Sequence, residues 1–149
     1  MQKLWSRKRF SCGLCKVRVL QRRTRHQTHI CYYKSMKTSL DPRHRKRQHL
    51  VQELFSREFH EQTISSEAQE ILKQKIFLDE KIQDAAPNFP VEKVNKIDLA
   101  ILRLATYELL IKQKEPKNVI IDEAIELAKE FANETSPSFI NGVLGHISR

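Results

Sequence analysis

Glycine is nearly missing from this chain: Gly13, Gly142 and Gly145 are the only three in 149 residues. No G-x-G-x-x-G or G-x-x-x-x-G-K-[ST] run can be assembled from them, which excludes the usual phosphate-cradling loops. So few turn glycines also argue against a hairpin-rich sandwich or barrel. Long apolar runs are missing too. None approaches the ~18 residues of a membrane span, and the basic start is not followed by the apolar stretch of about 7–15 residues that marks a secretory signal. Cysteine is scarce and confined to Cys12, Cys15 and Cys31. Three cysteines in one short segment make no disulfide framework, so a reducing, cytoplasmic setting without a membrane is expected.

Acidic residues are absent up to Leu40, and this divides the chain. Residues 1–49 carry 15 Lys/Arg and the single acid Asp41, a net of +14. Residues 50–149 carry 12 Lys/Arg and 17 acids, a net of −5. A basic arm therefore precedes a mildly acidic body, and a positive footprint of this kind usually meets phosphate. Residues 1–40 show neither helical nor strand periodicity, and few buried contacts could offset their ordering entropy, so a disordered extension is predicted there.

From Asp41 onward the pattern is helical. Asp41-Pro42 reads as an N-cap carboxylate followed by a proline whose missing N–H costs nothing at that position. Leu50/Leu54 and Val51/Phe55/Phe59 recur at i, i+4, giving an apolar stripe down to about Glu61. Ser66 and Gln69 form an S-x-x-Q capping box that opens a second helix through Ile71, Leu72, Ile76, Leu78 and Ile82. Ala85 to Pro90 stops it. Ile97–Ile111 is apolar almost all round, broken only by Asp98, Arg103, Thr106 and Glu108, which places it at the centre of a bundle. Asn118 is read as the cap of a further helix and Ser136-Pro137 as the start of the last. The fold class is all-α, over residues 41–149.

Few residues suggest chemistry. Cys12-x-x-Cys15 with His26, His29 and Cys31 resembles a zinc pattern, but the histidines are too close together for a finger, and the gap lacks the apolar residues that pack beneath the metal. No metal and no cofactor are expected. The body has no cysteine nucleophile, its acids are spread along helix faces, and no catalytic residue is proposed. The informative run is Arg43-His44-Arg45-Lys46-Arg47-Gln48-His49, leading into the first apolar stripe. Positive charge at a helix N-terminus opposes the macrodipole, and arginine binds phosphate bidentately and stacks on bases, as single-stranded RNA requires. A solvated basic turn is the alternative. Arg47, nearest the packed stripe, is expected to make the strongest single RNA contact.

Three blocks, Ile97–Leu109, Val119–Lys129 and Phe139–Leu144, together with the basic run continuing as Leu50-Val51-Gln52-Glu53-Leu54-Phe55, resemble the NusB family in order and spacing. The resemblance implies two small helical bundles and no enzymatic activity. It also implies binding of single-stranded boxA RNA from ribosomal RNA operon leaders, jointly with the small-subunit ribosomal protein NusE, in an RNA polymerase antitermination complex. Carried over by residue, it makes Arg43, Arg45, Lys46 and Arg47 the RNA-binding run and puts Gln52 and Phe55 on first-helix positions facing RNA. Phe139 falls on an aromatic position near the RNA, and Asp98 at the ribosomal-protein contact.

The residues themselves allow plainer roles. Phe55 and Phe139 lie on apolar stripes and suit core packing, Asp98 is an early-helix acid that suits the dipole, and Arg103 needs an acidic partner, Glu108 or Glu123. The stretch from Phe55 to Val91 reads as shorter than the family's. Met36-Lys37-Thr38 matches a family start, so residues 1–35 are expected to be dispensable. Two rivals remain: the NusB-like module of an rRNA cytosine methyltransferase, which would require a truncated gene because no methyl-donor domain follows, and a zinc-dependent nucleic-acid-binding protein using the arm.

Overall fold

The computed structural model describes residues 41–149. Six α-helices account for most of this span, and no strand occurs among the described residues. The first, α1 (Pro42–Arg57), begins as its sequence dictates: Asp41 Oδ1 accepts the Arg43 N–H at 2.9 Å and proline occupies the first turn. Its inward face is His44, Arg47, Leu50, Val51 and Leu54. The helix ends at Arg57, short of Glu61, and Phe59 lies exposed with its ring edge-to-face on Phe55 at 5.1 Å.

The single second helix predicted through Ile82 is two. Helix α2 (Ser66–Lys73) and α3 (Lys75–Ala85) meet at Gln74, which is the C-cap of one and the N-cap of the other. The break lets Ala68 and Ile71 before it, and Leu78 and Ile82 after it, all reach the core, while Ile76 is left exposed. The cap of α2 is Ser65 rather than Ser66: its Oγ accepts the Ala68 N–H at 3.3 Å. A contact from α1 selects this residue, since Glu53 accepts both the backbone N–H (3.1 Å) and the hydroxyl (2.6 Å) of Ser65.

After a 3₁₀ turn at Val91–Lys93, α4 (Lys96–Tyr107) runs through the middle of the fold, with every residue from Asp98 to Tyr107 buried. It packs against α1, α2, α3, α5 (Lys117–Phe131) and α6 (Ser136–Ile147). The predicted helix over 97–111 changes register at Glu108 into a π-helical turn, Glu108–Lys112, closed by Gln113 in the left-handed region (φ 44°). Pro116, not Asn118, precedes α5, and Thr135, not Ser136, precedes α6. Ser136 is drawn inside instead, donating its hydroxyl to Asp98 Oδ2 at 2.9 Å. No helix among the described residues is long and apolar enough to cross a membrane.

A cation sits within this apolar centre. Arg103 forks onto Asp79 of α3 at 2.7 and 2.8 Å and reaches Glu58, just past α1, at 2.6 Å; Lys75 adds a second cation to Glu58 at 3.1 Å. Its acids are thus Asp79 and Glu58 rather than Glu108 or Glu123. Burial disfavours the Glu58 carboxylate, but hydrogen bonds from Arg103 and Lys75 outweigh it and hold its pKa below the usual range. Arg103 therefore pins α4 to α1 and α3 at once. Arg103→Ala strands Asp79 and leaves Glu58 to Lys75 alone around an empty site, and chemical denaturation should show a loss of about 3–5 kcal/mol. A loss below about 1 kcal/mol would mean that water satisfies those acids.

Candidate nucleic-acid interface

Successive helical residues diverge by about 100°, so the basic run cannot act as one surface, and α1 sorts it. Arg43, Arg45, Lys46 and His49 are exposed, whereas His44 and Arg47 are buried. Arg43 and Lys46 have side chains 74% and 60% exposed. Arg45, His49 and Gln52 follow at i, i+4 and i+7, so the expected RNA-facing Gln52 extends the outward stripe.

The buried pair is tied to the acidic body. Arg47, 6% exposed, donates from Nε to Glu108 Oε2 at 2.9 Å and from Nη2 to Glu115, with Nη1 3.9 Å from Glu123. The sequence singles out Arg47 as the strongest RNA contact; its guanidinium is instead committed to acids inside the fold. His44 bonds through Nδ1 to Glu123 at 2.9 Å and through Nε2 to Glu130 at 3.0 Å. Gln48 completes the row, donating to Glu130 at 2.7 Å.

Beside α1 opens a cleft of about 250 Å³ lined by Arg43, Lys46, Arg47, Glu108, Lys112 and Lys114, among others. The π turn brings Lys112 and Lys114 next to the basic run. Sequence reasoning missed both, since two isolated lysines before Pro116 carry no signal of their own. Glu67 of α2 accepts from both Lys46 and Lys112. Burial raises the Glu67 pKa, but those two lysines outweigh it and leave it below the usual range. Lysine and arginine on such a rim can meet phosphate oxygens, although Glu108 and Glu115 share the lining.

The other expected site residues are dispersed. Phe55 is half-buried against the core. Phe139, also half-buried, meets Phe89 edge-to-face at 5.3 Å and lines a different cleft, of about 270 Å³, with Asn88, Ser138 and Gly142. Asp98 is not on a surface: it is 7% exposed, one oxygen accepts from Ser136, and Oδ1 is buried without a partner. Burial pushes its pKa up, and the Ser136 hydrogen bond offsets this only in part. No group of three or more His, Cys, Asp or Glu suited to a metal occurs among the described residues, and the Cys12, Cys15, His26, His29 and Cys31 pattern lies outside them.

Comparison with known proteins gives one family. The model of the NusB family matches residues 24–149. The transcription antitermination protein NusB of Chloroflexus aggregans is 39% identical over 109 residues, covering 66% of this chain and 73% of that protein. Those of Geobacter sulfurreducens and Clostridium botulinum (strain Loch Maree) are 46% and 51% identical, over 52% and 50% of this chain. In these two the match spans about half of the relative, 56% and 53%. A solved structure of T. maritima NusB superimposes with a TM-score of 0.62 at 32% identity, covering 72% of this chain and 90% of that one.

Two predictions separate the structural residues from the outward ones. Arg47→Ala should cost about 3–5 kcal/mol in denaturant unfolding because it leaves buried acids unpaired, whereas Arg43→Ala and Lys46→Ala should each change stability by less than about 1 kcal/mol. Asp98 carries the opposite sign. With its folded pKa raised, the native state is favoured while the group is protonated, and that contribution disappears as pH rises through the folded pKa. Asp98→Asn should therefore raise the melting temperature at about pH 7, with the gain shrinking toward about pH 4. An equal gain at both pH values would show that ionisation of Asp98 is not the cause.

Proposed function

Since this chain belongs to the NusB family, we propose that it is a transcription antitermination factor that grips boxA-type RNA from ribosomal RNA operon leaders together with the ribosomal protein NusE. The observation that carries this reading is the sorted face of α1: Arg43 and Lys46 are exposed and line a cleft with Lys112 and Lys114, and Arg45 is exposed on the outward stripe that continues to Gln52, while His44 and Arg47 turn in to an acidic layer. Phosphate contacts from Arg and Lys set affinity and register, while base contacts set preference. Gln52, on the same stripe, has an amide suited to a base edge. Phe139 and the half-buried Phe55 offer ring surface for an unstacked base.

Asp98, which the resemblance puts at the ribosomal-protein contact, is buried, so any part it has in NusE binding runs through the placement of α6. It holds Ser136, the first residue of that helix, through the hydroxyl. The RNA-bound pair joins RNA polymerase in an antitermination complex in the cytoplasm. The protein acts by holding, without chemistry on the RNA and without a cofactor.

Fluorescence anisotropy with a labelled boxA RNA and a scrambled control, with and without NusE, tests this. On single-stranded RNA the salt slope scales as about 0.7 per neutralised phosphate, so the combined Arg43→Ala, Arg45→Ala, Lys46→Ala variant should be shallower by about 2. Unchanged affinity and slope in that variant would refute the assignment of α1 as the RNA-binding surface.

A further inference from the structure

His44 makes two short contacts that a neutral imidazole cannot make together. Ionised carboxylates only accept hydrogen bonds, and a neutral imidazole carries a single N–H. With Glu123 at 2.9 Å on Nδ1 and Glu130 at 3.0 Å on Nε2, a neutral ring would aim a lone pair at one carboxylate. The arrangement calls for the imidazolium. A cation in the first turn of α1 also opposes the helix dipole, so these two acids of α5 are what make the position tolerable.

The location matters as much as the bonds. His44 lies between Arg43 and Arg45 and two residues before Lys46. We propose that His44 is a positioning residue for RNA binding: clamped as an imidazolium between Glu123 and Glu130, it docks the first turn of α1 on α5 and so aims Arg43, Arg45 and Lys46, and loss of its proton releases that turn. The proposal rests on the RNA-binding reading above.

The neighbouring charges explain why release would stay local. Glu123 also faces Arg47 Nη1 at 3.9 Å, and Glu130 also accepts from Gln48. Glu115, facing the same helix, is engaged by Arg43 and Arg47. When His44 is neutral, Arg47 still anchors the second turn, whereas the first turn is left to exposed contacts, the Asp41 cap and the 3.6 Å Arg43–Glu115 pair. Burial disfavours the charged ring, yet the hydrogen bonds and charges of Glu123 and Glu130 outweigh it, and the pKa of His44 is raised. The clamp is thus complete in mild acid and opens as pH rises through that raised pKa.

Three measurements on the full chain between about pH 6 and about pH 8.5 test this. Long-range ¹⁵N–¹H correlation of the His44 ring reads its protonation, amide protection factors read docking of the first turn, and anisotropy with labelled boxA RNA reads affinity. The expected result is a doubly protonated ring at low pH, with protection of residues 45–48 and RNA affinity falling together as it titrates. Affinity should fall by at least about fivefold, the low end of ordinary coupling between sites. His44→Arg, permanently charged, should flatten both profiles, and His44→Gln should behave at every pH like the deprotonated protein. His49, on the outward face 3.4 Å from Glu53, is the other imidazole of α1, so His49→Gln should leave the pH profile of amide protection in place. A neutral His44 ring throughout would overturn the proposal, as would a titrating ring with pH-independent protection. A working clamp with pH-independent RNA affinity would remove the positioning role alone. No RNA binding at any pH would remove the RNA reading with it, while the ring and protection data would still decide the clamp.

Discussion

A helix that begins with a dense positive run must put part of that charge inside, because no face of a helix can hold every consecutive residue. In α1 the inward share is His44 and Arg47, and the fold depends on their neutralisation. Glu108, Glu115, Glu123 and Glu130 come from the π turn, the segment before α5, and α5 itself, and they converge on these two cations. An ion cluster of this kind is not a strong net stabiliser relative to apolar packing, but it is unforgiving once one partner is removed. What it contributes here is direction. With the inward cations fixed, the outward ones are fixed too.

The same logic recurs at the other end of α1. Arg103 would be out of place in the all-round apolar α4 if Asp79 and Glu58 did not meet it. Two buried arginines, one near each end of α1, thus tie that helix to the central α4 and to the acidic elements around it. The mild negative charge of the body, bland as a composition figure, is largely the counter-charge to these sites. The packing of α1 and the direction of its basic surface draw on the same acids, those that hold Arg47 and His44.

The π turn at Glu108–Lys112 has a related role. It lets the buried α4 end while carrying Glu108 toward Arg47 and Lys112 toward Glu67, and Gln113 closes it in a left-handed conformation unusual for a residue with a side chain. π-helical turns often accompany functional sites. In this protein the turn delivers two lysines to the rim of the basic cleft. Its register shift has no signature in the apolar pattern of Ile97–Ile111, which reads as one regular helix.

Much of the architecture was written locally. The helical class, the Asp41-Pro42 start of α1, the stop between Ala85 and Pro90, the central place of α4 and the separation of a basic start from an acidic body all follow from periodicity, caps and composition, which act between residues near in sequence. The family was legible for a similar reason, as three blocks in a recognisable order. Tertiary structure alone decided which basic residues face outward, why the helix through Ile82 breaks at Gln74, that Ser136 turns inward to Asp98, and that Arg103 pairs with acids 24 and 45 residues away. Those choices are pairings between side chains far apart in the chain. Local spacing shows that a buried charge needs a partner, but only packing brings a particular partner within reach.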